Sequence, residues 1–333
     1  MKLNNNLVDS FGRMAKKLRI SITDRCNMQC VYCMPSNNTN WLEQDNLLSY
    51  EQITRLAKIF VSLGIEKIKI TGGEPTVRVN VENLIKSLSS IEGLRSISMT
   101  TNGILVKDKI KILKESGLES LNISLDTFKP DRFKSMSGID GFNKVRNAIN
   151  TAIDENLPVK INTVIIKGWN DDEISHFVRF SRDTGCIVKF IEFMPLDGTG
   201  IWSEELVVSK KSMIETINKD FDQLSPLHND KSDPARLYTF EDGKGVIGFI
   251  PSITEPFCQN CDRIRITADG KLYSCLFDKS SNDLKSLLEG GKSDIDIIKC
   301  INKSVQKKPE GIIKIIKTHS LRPTLNVMHT MGG

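Results

Sequence analysis

Six short apolar, β-branched runs alternate with amphipathic segments over the first 195 residues. The runs are LRISIT (18–23), KIKIT (67–71), SISMT (96–100), LNISL (121–125), VKINTVII (159–166) and VKFIEF (188–193), each read as a buried strand. Between the first two, Ser49 and Gln52 form a capping-box pair. Ile53, Leu56, Ala57, Phe60 and Val61 follow at helical spacing, and Gly64 stops the helix. Further helices are expected over 81–89, over 106–116 with Gly117 closing, and over 142–155. Asn170 and Glu173 offer another capping box, for a helix to about residue 183. Strands alternating with helices imply parallel strands joined by helical crossovers. Six units are too few for a closed eight-unit barrel. A partial, open barrel and a doubly wound sheet both satisfy the pattern, and periodicity does not separate them.

After Pro195 the texture changes. Residues 196–235 read as loops with one helix near 210–220. RLYTF (236–240) and VIGFI (246–250) flank a Gly-containing turn and read as a hairpin, and IRITADGKLYSC reads as a second hairpin around Asp269-Gly270. Helices are expected at 282–290 and 294–305. The division is therefore a strand–helix region over 1–195 and a distinct region over 196–333.

Eight cysteines stand in a chain whose N-terminus, MKLNNNLVDSFGRMAKKLRI, lacks the apolar core of a secretory signal. A cytoplasmic location is expected, and with it thiols that serve metal or catalysis rather than disulfides. No run reaches the ~18 apolar residues of a membrane span, so no membrane partner is expected. The charge balance is 46 basic against 41 acidic residues, a net +5 spread along the chain. Dispersed charge with 6% aromatics suits an anionic small molecule and argues against a zinc-dependent nucleic-acid binder.

Six of the cysteines form two groups. Cys26, Cys30 and Cys33 are spaced C-x3-C-x2-C just after the first strand. Three thiolates with no fourth Cys or His nearby suit a four-iron, four-sulfur cluster with one open iron, where a zinc knuckle would want a fourth ligand. Cys258, Cys261 and Cys275 are spaced C-x2-C-x13-C, and the Asp269-Gly270 turn can fold the third back on the first two. A zinc ribbon would want C-x2-C twice, so a second cluster with an open iron is the reading here. Arg263 and Arg265 lie between these cysteines on one strand face, where two guanidinium forks suit a polyphosphate.

ITDRCNMQCVYCMP and Gly72-Gly73-Glu74-Pro75 together resemble the radical S-adenosylmethionine (SAM) superfamily. The run FCQNCDRIRITADGKLYSCLF narrows the resemblance to its GTP 3′,8-cyclase family, of molybdenum cofactor biosynthesis. ITGGEPTVR, MTTNG, NISLDT, VKINTVIIKGWNDDEI, FIEFMPL, DPARLY and the terminal Gly332-Gly333 extend it nearly end to end.

The resemblance implies an α/β fold, a partial (βα)6 TIM-type barrel with a C-terminal cluster-binding extension. It implies two [4Fe-4S] clusters, on Cys26, Cys30 and Cys33 and on Cys258, Cys261 and Cys275, with SAM as cofactor. Tyr32, Gly73, Ser124 and Met194 would line the SAM site. Arg19, Lys69, Thr100, Lys160, Arg263 and Arg265 would grip GTP. Lys67 and Asn162 share strand faces with Lys69 and Lys160. The implied reaction is a lyase step in which the adenosyl radical takes hydrogen from the ribose 3′-carbon and the sugar radical closes on guanine carbon 8. Reduction and protonation then give the cyclised dihydronucleotide. An electron donor is implied, together with a downstream synthase that makes cyclic pyranopterin monophosphate. A monomer or homodimer is expected.

Position 69 is Lys where the family usually has Arg, which keeps charge but loses the fork. Leu325 to Met331 match loosely, and Arg322 has no fixed register. A peptide-modifying radical enzyme is the competing reading, and Arg263-x-Arg265-x-Thr267 with only three C-terminal cysteines favours a triphosphate instead. Gly243-Lys244-Gly245-Val246-Ile247-Gly248 matches a nucleotide fingerprint but precedes an apolar run and Pro251, so it reads as a turn. Cys186 and Cys300 read as structural thiols, and His176 and His228 as surface residues.

Overall fold

The computed structural model describes residues 6–34, 41–196, 200–228, 230–278, 281–312 and 328–332. Six strands form its centre: β1 (Lys17–Ser21), β2 (Lys67–Thr71), β3 (Ser96–Thr101), β4 (Ser120–Ser124), β5 (Val159–Ile165) and β6 (Ile187–Glu192). They lie side by side in chain order, and every pairing among them is parallel. Sequential order selects the partial barrel, because a doubly wound sheet reverses direction at a switch point.

The crossovers are α1 (Tyr50–Ser62), α2 (Val81–Ser89), α3 (Ile110–Glu115), α4 (Pro130–Ser137), α5 (Phe142–Asp154) and α6 (Ile174–Thr184). The Ser49–Gln52 capping box forms, with each side chain accepting from the other residue's backbone N–H. It presents Ile53, Leu56, Ala57 and Phe60, all buried, to the sheet. Helix α4 was not anticipated from sequence. Pro130 starts it and Gly138, left-handed at φ 77°, ends it, so both signals were present in a segment too short to show periodicity.

The Asn170–Glu173 capping box does not form. A 3-10 turn (Asp171–Glu173) leads into α6 instead. Asn170 turns its side chain inward. It accepts from the Ile166 N–H at 2.8 Å and donates to the Asp126 and Val164 carbonyls, both at 2.8 Å. Glu173 accepts from the Thr127 hydroxyl and the Phe128 N–H. Both side chains are thus recruited to bind the end of β5 to the segment leaving β4.

The C-terminal region continues the same sheet. Beyond α7 (Lys210–Asp220) come β7 (Ser225–Pro226), β8 (Arg236–Thr239), β9 (Val246–Ile250), β10 (Arg263–Ile266), β11 (Lys271–Tyr273) and β12 (Asn282–Asp283), then α8 (Leu284–Glu289) and α9 (Asp294–Gln306). Strand β10 pairs parallel with β1, and β9 pairs parallel with β6. Six strands plus these two make a parallel array of eight. The two expected hairpins, β8–β9 and β10–β11, form antiparallel and cap its sides. The whole is one 12-stranded sheet in the order β12-β11-β10-β1-β2-β3-β4-β5-β6-β9-β8-β7.

Side-chain parity does the rest. Leu18, Ile20, Ile68, Ile70, Ile97, Met99, Leu121, Ile123, Ile161, Val188, Phe190, Ile247, Phe249, Ile264 and Ile266 are buried in the main core cluster, with α1, α2, α5 and α6 contributing the facing apolar residues. The alternate positions face the inside of the curl. Among the described residues no helix is long and apolar enough to cross a membrane. Replacing Asn170 with alanine would orphan three buried backbone groups. We expect a loss of about 3 kcal/mol in urea unfolding, with the far-UV spectrum of the folded form unchanged.

Candidate active site

Alternate residues of all eight parallel strands meet around one cavity of about 420 Å³. Its wall runs through Arg263 and Arg265 of β10, Lys17 and Arg19 of β1, Lys67 and Lys69 of β2, and Ser98 and Thr100 of β3. It continues through Asn122 and Ser124 of β4, Lys160 and Asn162 of β5, Lys189 of β6 and Ile250 of β9. Register explains the grouping. Arg265, Arg19, Lys69 and Ser98 stand level across four strands, and Thr100, Asn122 and Lys160 across three. Of the residues singled out from sequence, Cys26, Cys30, Tyr32, Cys33, Gly73, Ser124, Met194, Arg19, Lys69, Thr100, Lys160, Arg263 and Arg265 all line this cavity.

The first cysteine group lies at the C-terminal ends of the strands, where barrel-like α/β folds place their chemistry. Gly72 and Gly73 let the end of β2 press against the loop that leads into it. A Cβ on Gly72 would sit 2.6 Å from the Thr23 carbonyl oxygen, and one on Gly73 would overlap the carbonyls of Asp24 and Arg25. Glu74 is fully buried and does not reach the cavity. It accepts from the Thr76 N–H, the Thr101 hydroxyl at 2.7 Å and the Asn102 N–H at 2.6 Å, so it ties the GGEP turn to MTTNG. Asn102 in turn bonds Asn27 at 2.7 Å and approaches Cys26 Sγ at 3.7 Å.

None of the eight cysteines is in a disulfide. Burial raises all three thiols of the first group. Cys33 is pushed up to about 12 by burial, then by Cys26 and Asp126. Cys30 is raised by burial, then by Cys33, Asp126 and Cys26, and Cys26 by burial and by Glu74. Such thiols become thiolates only when positive charge arrives among them, as metal supplies. Three such thiols, all at the cavity wall, would give three thiolate donors to an iron–sulfur cluster and leave one iron open.

Deeper in the cavity the cations repel one another. Lys69 is held well below its ordinary value by burial, then by Arg19, Lys189 and Lys160. Lys189 is lowered to about 8 by burial and then by Lys160, and Arg265 to about 10 by burial and then by Arg263. Arg19 is lowered by burial and then by Arg265 and Arg263. Lys17 pairs with Asp262 at 3.1 Å and Asp233 at 3.4 Å. Among the described residues no carboxylate forms an ion pair with Arg19, Lys67, Lys69, Lys160, Lys189, Arg263 or Arg265. Buried like charges without counterions are costly, and a polyanion in the cavity removes the cost.

The second cysteine group stands behind this wall rather than in it. Its neighbours Phe257, Arg263, Arg265 and Leu276 line the cavity, and the three cysteines beside them are half-buried. Arg263 places its guanidinium 3.3 Å from Cys261 Sγ and over the Phe257 ring at 4.6 Å. Burial would raise Cys261, but Arg263 and Lys308 override it and bring the thiol down to about 6. Cys275 is pushed up to about 11 by burial, then by Cys261 and Cys258.

Residues 328–332 reach the cavity wall. Met328 and His329 line it, and Arg265 donates to the carbonyls of Met331 at 3.2 Å and Gly332 at 2.7 Å. Gly332 is left-handed at φ 70° and packs on Thr71, where no Cβ would fit. Arg322 and Gly333 lie outside the described residues. Cys186 is buried and Cys300 packs against the core as read from sequence, while His176 and His228 are exposed.

Three site residues escaped the sequence reading. Lys17 and Lys189 have the same strand parity as Arg19 and Asn162, a signal that was available. Asp126 accepts from the Tyr32 hydroxyl at 2.6 Å and the Val164 N–H at 2.8 Å, so it pins the cysteine loop to β5. Burial raises its carboxyl to about 6 against both bonds. Only its place just past a strand's C-terminal end hinted at this.

Comparison with known proteins agrees with this geometry. Residues 20–181 match the family model of the radical SAM superfamily, and residues 186–313 that of Molybdenum Cofactor Synthesis C. The chain is 42% identical to the GTP 3′,8-cyclase of Thermodesulfovibrio yellowstonii, over 98% of this chain and 99% of that protein. It is 41% identical to the mitochondrial GTP 3′,8-cyclase of Arabidopsis thaliana, over 98% and 84%. Human molybdenum cofactor biosynthesis protein 1 is 40% identical over 91% of this chain, which spans 48% of that longer protein. Among solved structures, Streptococcus suis SuiB bound to its precursor peptide SuiA superposes with a TM-score of 0.63, over 95% of this chain and 76% of that one. At 16% identity that likeness is one of fold. Identity at this level over nearly the whole length, with two family models in tandem, makes this chain a radical SAM lyase of the GTP 3′,8-cyclase family.

Proposed function

We propose that the chain cyclises GTP to 3′,8-cyclo-7,8-dihydroguanosine triphosphate, with residues 1–195 holding SAM and its cluster and residues 196–333 adding a second cluster and substrate contacts. The observation that carries this reading is the set of inward-facing cations Arg19, Lys69, Lys160, Lys189 and Arg265, which share one cavity with the first cysteine group and pair with no carboxylate among the described residues. A triphosphate supplies the charge they lack, and a nucleoside attached to it extends toward the strand ends. Cys26, Cys30 and Cys33 would hold one [4Fe-4S] cluster, and Cys258, Cys261 and Cys275 the other. When bound, SAM and the first cluster supply the radical that removes hydrogen from the ribose.

The chain's own part is positioning. Arg19, Lys69, Lys160, Arg263 and Arg265 grip the phosphates, joined by Lys17 and Lys189. Thr100 meets the substrate from the level of Asn122. Tyr32, fixed by Asp126, together with Gly73, Ser124 and Met194, shapes the SAM end. Met328 and His329, which line the cavity, would shield the bound nucleotide from water. Held this way, the sugar and the base of one nucleotide stay within reach of each other, so the ring closure starts from a fixed near-attack conformation.

The direct test is anaerobic turnover of protein reconstituted with iron and sulfide, given SAM, dithionite and GTP. We expect about eight irons per chain, as two cubanes require, and 5′-deoxyadenosine formed with a GTP-derived cyclic product. Cys258→Ala should lose the cyclic product. Deoxyadenosine without any nucleotide product would reject GTP as substrate.

Arg265→Ala should raise the KM for GTP about thirtyfold, the equivalent of about 2 kcal/mol for a charge-assisted contact, and leave the KM for SAM unchanged. Lys189 gives the pH dependence. Its cation is lost as pH rises through about 8 in the free enzyme, so the KM for GTP should climb above that pH. Lys189→Arg, which stays charged, should remove the climb; a profile identical to the parent's would assign the inflection elsewhere.

A further inference from the structure

The loop that carries Cys258 and Cys261 is held by its carbonyls, and the holders are two buried cations from distant parts of the chain. Arg13 donates to the carbonyl of Cys258 at 2.9 Å, and to those of Pro309 and Glu310 at 2.8 and 3.3 Å. Its charge is already met by Asp9, whose carboxylate it contacts at 2.6 Å. Lys308 differs. It is 3% exposed, and its ammonium donates to the carbonyls of Cys261 and Arg263, both at 2.9 Å. No carboxylate among the described residues pairs with it. The acidic groups it faces are the thiols of Cys261 and Cys275. Next to it Gly311 is left-handed at φ 106°, and a Cβ there would fall 2.6 Å from Cys258 Sγ, so the segment after Lys308 is fitted to the cysteine loop.

A buried ammonium without a carboxylate is costly unless another anion stands near it. Resting on the reading that Cys258, Cys261 and Cys275 hold a second cluster, we propose that Lys308 is a positioning residue whose fixed charge sets that cluster's reduction potential. An iron–sulfur cluster gains negative charge when reduced, and its potential follows local charge and hydrogen bonding. A fixed cation on the ligand loop stabilises the reduced form and raises the potential. The first cluster, in another part of the barrel, is the internal reference.

The test is a dithionite redox titration of the reconstituted full-length enzyme, followed by electron paramagnetic resonance. In Lys308→Met the second cluster should move to lower potential, by about tenfold in its oxidised-to-reduced ratio, or about 59 mV for one electron. The first cluster should not move, and Lys308→Arg should restore the parent value. An unchanged second potential in Lys308→Met with full iron would overturn the proposal, as would an equal shift in the Met and Arg variants. If Lys308→Met sheds iron, Lys308→Gln keeps a donor without the charge: the same downward shift supports the proposal and an unmoved potential rejects it. The underlying reading is checked separately by replacing Cys258, Cys261 and Cys275 together with alanine. About four irons should be lost; an unchanged iron content would fail the reading itself.

Discussion

Every second side chain of the eight parallel strands is pressed under the helical layer, and that burial dictates what the other half must do. Because the outward set is Ile, Leu, Val, Phe and Met, the inward set is free to be Lys, Arg, Ser, Thr and Asn. A fully apolar barrel interior would be filled by its own side chains. Here the cations repel one another across the gap, so the interior stays available to a ligand of opposite charge. The stability invested in the outer face underwrites the strain of the inner one.

The strand ends are organised by buried carboxylates, of which Glu74 and Glu173 stand behind the cavity wall and Glu192 at its edge. Glu74 ties β2 to β3, Glu173 ties the exit of β4 to the approach of α6, and Glu192 accepts from the N–H groups of Lys210, Ile253 and Thr254 to tie β6 to the C-terminal region. Each carboxylate accepts from at least one backbone N–H as well as from side-chain donors, which fixes loop geometry more rigidly than side-chain pairs alone could. The cysteine loop inherits that rigidity through Asn102 and Asp126.

Much of this was legible in the residues. Periodicity located the six core strands, and the spacing of the cysteines separated them into two groups. Parity placed Lys67 with Lys69 and Lys160 with Asn162. Sequence could not choose between barrel and doubly wound sheet, because both obey the same local alternation and differ only in which strands pair. It also misjudged Asn170 and Glu173. A capping box and a tertiary tie use the same residue types, and buried carbonyls at Asp126 and Val164 outcompeted the local helix end. Arg13 and Lys308 carried no signal, since a basic residue that binds remote carbonyls looks like any surface charge until the chain is folded.

The pairing of β10 with β1 carries a temporal consequence. Lys17 and Arg263 sit side by side, yet 245 residues separate them in the chain. During synthesis from the N-terminus, β1 to β6 are complete while β1 still presents an unpaired edge. Two of the cations that line the cavity, Arg263 and Arg265, are therefore absent until the last quarter of the chain emerges. A closure of such high contact order is slow, and it keeps a nucleotide from being gripped before the second cysteine loop exists. Late assembly of the barrel's own edge thus places completion of the cavity after the loops that carry Cys26, Cys30 and Cys33 and Cys258 and Cys261 have both been made.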